Sequence, residues 1–125
     1  EAAAGCDGGA ECFHEGNGPE GGAAVARRLL DRPEAERPDG VVVLDDRIAM
    51  GLTAELSRAE HYRPRIAVQA NHQVPLAFAL PVTRYCVDIE KMARLGAEKM
   101  LRQFRNPAEP DGVTWVEPER KEKSE

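Results

Sequence analysis

Asp45 and Asp46 stand side by side directly behind the apolar run Val41–Leu44. Paired carboxylates in such a place either hold a magnesium ion or accept hydrogen bonds from the hydroxyl or amine groups of a ligand. A second polar group, Asn71-His72-Gln73, follows another apolar run, Ile66–Gln69. Cys12 and His14 are two residues apart and would share one face of a strand. No second pair stands at zinc-type spacing, so neither a metal site nor a cofactor is expected. Asp45 is then the first candidate for ligand contact, against the plainer reading of a solvated turn acid.

The elements that would position these side chains can be read from spacing. Val41–Leu44 is too short for a helix, follows the turn formers Asp39 and Gly40, and is mostly β-branched. It reads as a strand buried on both faces. Ile48, Leu52 and Leu56 then recur every four residues, on one helical face. Asp46 fits as the N-cap of that helix, its carboxylate accepting first-turn amide hydrogens. Strand, short acidic turn and helix make half of a βαβ unit. In open parallel sheets, ligands sit at the carboxyl ends of the strands.

Taken in order, residues 1–9 read as the last turn of a helix running into a glycine loop. Ala10–His14 reads as a short strand, and Pro19 suits the first position of a helix over about residues 20–31. Ala23, Ala26, Leu29 and Leu30 would face inward. Ile66–Gln69 reads as a second strand, parallel to and beside the first. Residues 74–89 read as a crossover ending in a strand over Val82–Val87. Asp88 would cap a helix with Ile89, Met92, Ala93, Gly96, Met100 and Phe104 on one face. Val113–Val116 reads as a last, edge strand. Residues 117–125 are a charged tail, expected to be disordered. The order β-α-β-α-β indicates a parallel α/β sheet.

The chain has 125 residues, enough for one domain or one lobe of a larger protein. Its 42% hydrophobic content can fill a core, which at 5% aromatic must be aliphatic. A formal net charge of −5 without a basic face excludes a grip on phosphate backbones. No apolar run approaches the roughly 20 residues of a membrane helix. Three cysteines, at 6, 12 and 86, cannot all pair, and a reducing cytoplasm is the simpler setting. Cys86, among apolar neighbours, reads as an inert core thiol. The chain opens on Glu with no signal-like segment behind it, as a piece of a longer protein would.

Three phrases in this order resemble the effector-binding domain of lactose-repressor (LacI) family transcription regulators, which are built like periplasmic sugar-binding proteins. They are RPDGVVVLDDRIAMG (37–51), RIAVQANH (65–72) and LPVTRYCVDIEKMARLGA (80–97). Asp45 stands where the family usually has Asn, Gln69 where it has Gly, and Asn71-His72 where it has an acidic pair. The resemblance implies a three-layer α/β sandwich with a mostly parallel sheet. Residues 1–116 would be its C-terminal lobe, the headpiece and most of the N-terminal lobe lying outside this chain. It also implies that Asp45 points into the cleft between lobes and that Asn71 holds a position contacting the effector. Asn71 has a carboxamide that both donates and accepts. Asn17 would face the same rim, and His72 would add a contact or be an ordinary surface histidine.

The expected function is therefore small-molecule sensing, of a sugar for instance, in a cytoplasmic LacI-like regulator. DNA contact would come only through a domain not in this chain. A transport-type solute-binding lobe is one rival. A receiver-like signalling domain is another, but receivers need a further acceptor Asp and a Lys, and no Lys precedes position 91. No catalytic motif is present, and no enzymatic activity is expected. Exposed strand edges around Tyr85 and Val87, with Ala- and Met-rich faces on the first and last helices, predict a symmetric homodimer.

Overall fold

A valine run between two turns becomes the first strand of a four-stranded sheet. The structure, a computed structural model, describes residues 9–73, 76–108 and 112–122. β1 (Gly40–Val43) lies parallel to β2 (Arg65–Asn71), with Val41 opposite Ile66 and Val43 opposite Val68. β2 lies parallel to β3 (Thr83–Val87), and β4 (Glu119–Glu122) joins β3 antiparallel at the far edge. The strand order is β1-β2-β3-β4. The α/β class, the mostly parallel sheet and the side-by-side placing of the two predicted strands are all present.

Two helices make the packed layer. α1 (Pro19–Leu30) begins with proline at its first position, where the missing amide hydrogen is no loss. α2 (Asp46–Ser57) connects β1 to β2 and packs on both. Ala26 and Leu29 of α1, Ala49, Leu52 and Leu56 of α2, and Val43, Ile66 and Val68 of the sheet form one core with Tyr62 and Val82. Burying each Leu or Val contributes about 1.5–3 kcal/mol. α1 and α2 touch through backbone, because Gly22 and Gly51 carry no side chain at the crossing. A methyl group on Gly51 would overlap the Pro19 carbonyl, and one on Gly22 the Ile48 carbonyl.

Several expectations are corrected. β1 is buried on one face only: Val43 is inside, whereas Val42 is 74% exposed. The packed helices α1 and α2 cover a single face, so β1 and β2 alternate between buried and exposed residues. The other helix, α3 (Ile89–Arg105), was expected to carry one apolar face and buries none of its residues. Residues 10–14 form no strand. Side chains tie the segment to the end of α1 and the turn behind it instead: Arg32 meets Glu11 at 2.7 Å, Arg28 pairs with the following Glu15, and both guanidiniums lie over the Phe13 ring. Residues 113–116 form no strand either, and Trp115 is 86% exposed.

The last strand lies instead in the segment expected to be disordered. Its charges are compatible with an edge, where one side of the strand faces water. β3 stays in this sheet, and its two edges are covered by β2 and β4 rather than left open. Readings that fall on residues 1–8, 74–75, 109–111 and 123–125 lie outside the described residues.

The crossing of α1 and α2 yields a paired test by urea denaturation. Gly51→Ala should destabilise the fold by about 2 kcal/mol or more, as overpacking against backbone does. Gly96→Ala, with no neighbour within 4 Å, should leave stability unchanged or raise it by up to about 1 kcal/mol.

Candidate functional site

Because β1, β2 and β3 are parallel, their carboxyl ends meet at one end of the sheet. Each exit carries polar residues: Asp45-Asp46 after β1, His72-Gln73 behind Asn71 after β2, and Asp88 after β3. Antiparallel β4 brings Glu119 to the same end, opposite Cys86, which is buried as expected. Asn17 lies just before α1, and its neighbour Gly18 comes near the tip of the Arg47 side chain. Of the four predicted residues, Asp45, Asn71 and His72 thus share one rim, and no contact among the described residues ties Asn17 to them.

The acid pair divides its work in the reverse of the expected way. The turn between β1 and α2 is only two residues long, so the helix starts one residue early and Asp45 becomes its cap. Held in an extended conformation, Asp45 accepts hydrogen bonds on Oδ1 from the Arg47 amide at 2.8 Å and the Ile48 amide at 3.0 Å. It remains exposed. Asp46, predicted as the cap, is the first helical residue and only 6% exposed. Its Oδ2 accepts from the Asn71 amide at 3.3 Å, tying the start of α2 to the end of β2.

Past Asn71 the chain is held from the other side. The His72 amide donates to the Val87 carbonyl at 3.1 Å. His72 Nε2 lies 2.6 Å from Glu119 Oε2, with the Lys121 ammonium 3.6 Å from the same oxygen. The hydrogen bond from His72, with Lys121 beside it, holds the Glu119 carboxyl below its usual range. Gln73 Nε2 donates to Asp88 Oδ1 at 3.1 Å, and the Lys91 amide donates to the same oxygen at 2.9 Å. That amide first, and Gln73 after it, lowers the Asp88 pKa. Asp88 caps α3 as predicted.

Glu119 was not legible as a rim residue. Glu119 is reached only through the antiparallel pairing of a charged strand, 47 positions from His72. Gln73 was placed in the polar group behind the second strand, but its partner Asp88 was not foreseen. Together the rim offers carboxylates, carboxamides and an imidazole, groups suited to hydroxyls and amines. Among the described residues, no three or more His, Cys, Asp or Glu are arranged to hold a metal ion.

A family of periplasmic binding protein-like domains matches residues 2–123. Among solved structures, the chain is similar to a LacI family transcriptional regulator from Lactobacillus casei with bound sucrose, at a TM-score of 0.57 and 22% identity. The match covers 84% of this chain and 39% of that one, so the chain spans about two fifths of that regulator. No curated protein matches. Among the described residues, no helix is long and apolar enough to cross a membrane.

The lowered Glu119 pKa sets a direction for acid sensitivity. A carboxyl depressed in the folded state adds stability above its unfolded pKa and loses it as pH falls through the folded one. The stability gap between wild type and Glu119→Gln, followed by urea denaturation, should therefore be full above about pH 5 and close as the pH falls well below 4. A gap that persists unchanged at pH 2.5 would contradict the contact.

Proposed function

The chain belongs to the family of periplasmic binding protein-like domains, and we propose that it is the C-terminal lobe of the effector-binding domain of a LacI-like transcriptional regulator. The observation that carries this reading is the gathering of Asp45, Asn71 and His72 at the carboxyl ends of parallel strands, where ligands of such sheets bind. The ligand is a small hydroxyl-rich molecule, a sugar by preference, held between this rim and a second lobe. The sucrose in the similar regulator supports that choice.

The mechanism is a shift of population. A ligand that touches both lobes favours the closed form over the open one, and the energy difference is read out as a changed affinity for DNA. DNA contact belongs to a domain outside these residues, since a net charge of −5 gives no electrostatic footprint for phosphates. The setting is cytoplasmic, and the role is binding without catalysis. The protein is a symmetric homodimer. Of the helix faces that predicted a dimer, the inner face of α1 is used up against α2, whereas α3 keeps Met92, Met100 and Phe104 exposed.

Two measurements test this reading. Isothermal titration of the full-length protein against a panel of mono- and disaccharides, sucrose included, should find a binder. Asp45→Asn should then weaken it by about 1.5–3 kcal/mol, the loss of a charged hydrogen-bond partner. Asn still caps a helix, so stability should stay within about 0.5 kcal/mol. Unchanged affinity would return Asp45 to capping alone. Light scattering coupled to size exclusion should give a dimer mass at micromolar concentration; a monomer mass would sink the assembly.

A further inference from the structure

We propose that Asp46 is the positioning residue of this rim: its carboxylate replaces the strand partner that β1 fails to supply, and so fixes where Asn71 and His72 stand. β1 stops at Val43, opposite Val68, while β2 runs on to Asn71. Successive amides of a strand point to opposite sides. The Arg65 amide donates toward β1, to the Asp39 carbonyl at 2.8 Å, and the His72 amide donates toward β3, to the Val87 carbonyl at 3.1 Å. Odd-numbered amides of β2 therefore face β1. That of Asn71 lies beyond the end of β1 and has no strand carbonyl to meet. Asp46 Oδ2 meets it at 3.3 Å.

The carboxylate makes this bond from a buried position, so its removal strips the Asn71 amide of its partner at a half-buried site. Capping of α2 does not compete for it, because Asp45 accepts both first-turn amides. One acid of the pair thus sets the helix, and the other sets the strand end. Asn71 and His72 are gripped from both sides, by Asp46 and by the Val87 carbonyl, before any ligand arrives. Asp46 acts through them and touches no ligand itself. The purpose of this grip rests on the effector reading, whereas the grip itself does not.

The test is residue-resolved hydrogen exchange by NMR on the whole protein, in wild type, Asp46→Ala, Asp46→Ser and Asp46→Asn. Val68, fully buried in β2, serves as the gauge of global stability. In Asp46→Ala, Asn71 exchange should quicken by about tenfold more than Val68 exchange, the loss of one hydrogen bond. Asp46→Asn keeps an acceptor oxygen and should bring Asn71 back to within about threefold of wild type. A purely structural role would speed both amides equally. Should the alanine variant fail to fold, Asp46→Ser, whose hydroxyl is too short to reach across, decides by the same criterion. Equal changes at Asn71 and Val68, or no rescue by Asn, would overturn the proposal. Failure of every saccharide to bind would instead overturn the effector reading and leave the exchange result standing.

Discussion

Parallel pairing of β1 with β2 obliges the chain to travel back across one face of the sheet, and α2 is that return. A helix in this role must be apolar toward the sheet, which Ala49, Leu52 and Leu56 supply, each at most 1% exposed. It must also begin at the carboxyl end of β1 and finish at the amino end of β2. The direction of the strands therefore dictates the position of the polar turns. Every exit from β1, β2 and β3 falls at one end of the sheet, and the residues there are freed from packing for other work. α1 is then seated on α2 at a distance that only glycine permits, through Gly22 and Gly51.

The two adjacent acids show how little a motif decides by itself. Either could cap α2, since a carboxylate at the N-terminus of a helix meets free amides and the positive end of its dipole. The length of the turn made the choice. With Leu44 and Asp45 alone between strand and helix, Asp45 falls at the cap and Asp46 at the first helical position. A side chain at that position, on a helix lying against β2, is directed at the neighbouring strand end. The same shift of one residue that moves capping to Asp45 therefore delivers Asp46 to the Asn71 amide.

What the sequence made legible follows from how local each signal was. The four-residue spacing of Ile48, Leu52 and Leu56 and the β-branched run before it depend on neighbours in the chain, and both elements formed where expected. Asp88 as a cap is local too. Val42 was misjudged because burial of a strand depends on what covers each face, and no residue near Val42 encodes that. Residues 113–116 look more like a strand than 119–122 by composition. Pairing with β3 nevertheless fell to Glu119–Glu122, because a ladder is made of backbone groups and an edge can carry charge. Glu119 and His72 met as a consequence, which no spacing could have announced. Asp45, Asn71 and His72 were brought to one rim because their placement rested on strand direction, a property the βαβ order does encode.

α3 carries the last step. It is 17 residues long, capped by Asp88, and amphipathic, yet Ile89, Met92, Met100, Leu101 and Phe104 are all between 47% and 78% exposed. Most helices in proteins owe their stability to packing of the apolar face, and an isolated helix of this length is marginal in water. The chain leaves the sheet at β3 to make this helix and returns to the same strand as β4, so the excursion is closed at its base. The helix is held out in this way with its apolar stripe uncovered. That stripe begins beside Asp88, whose link to Gln73 joins the start of α3 to the rim.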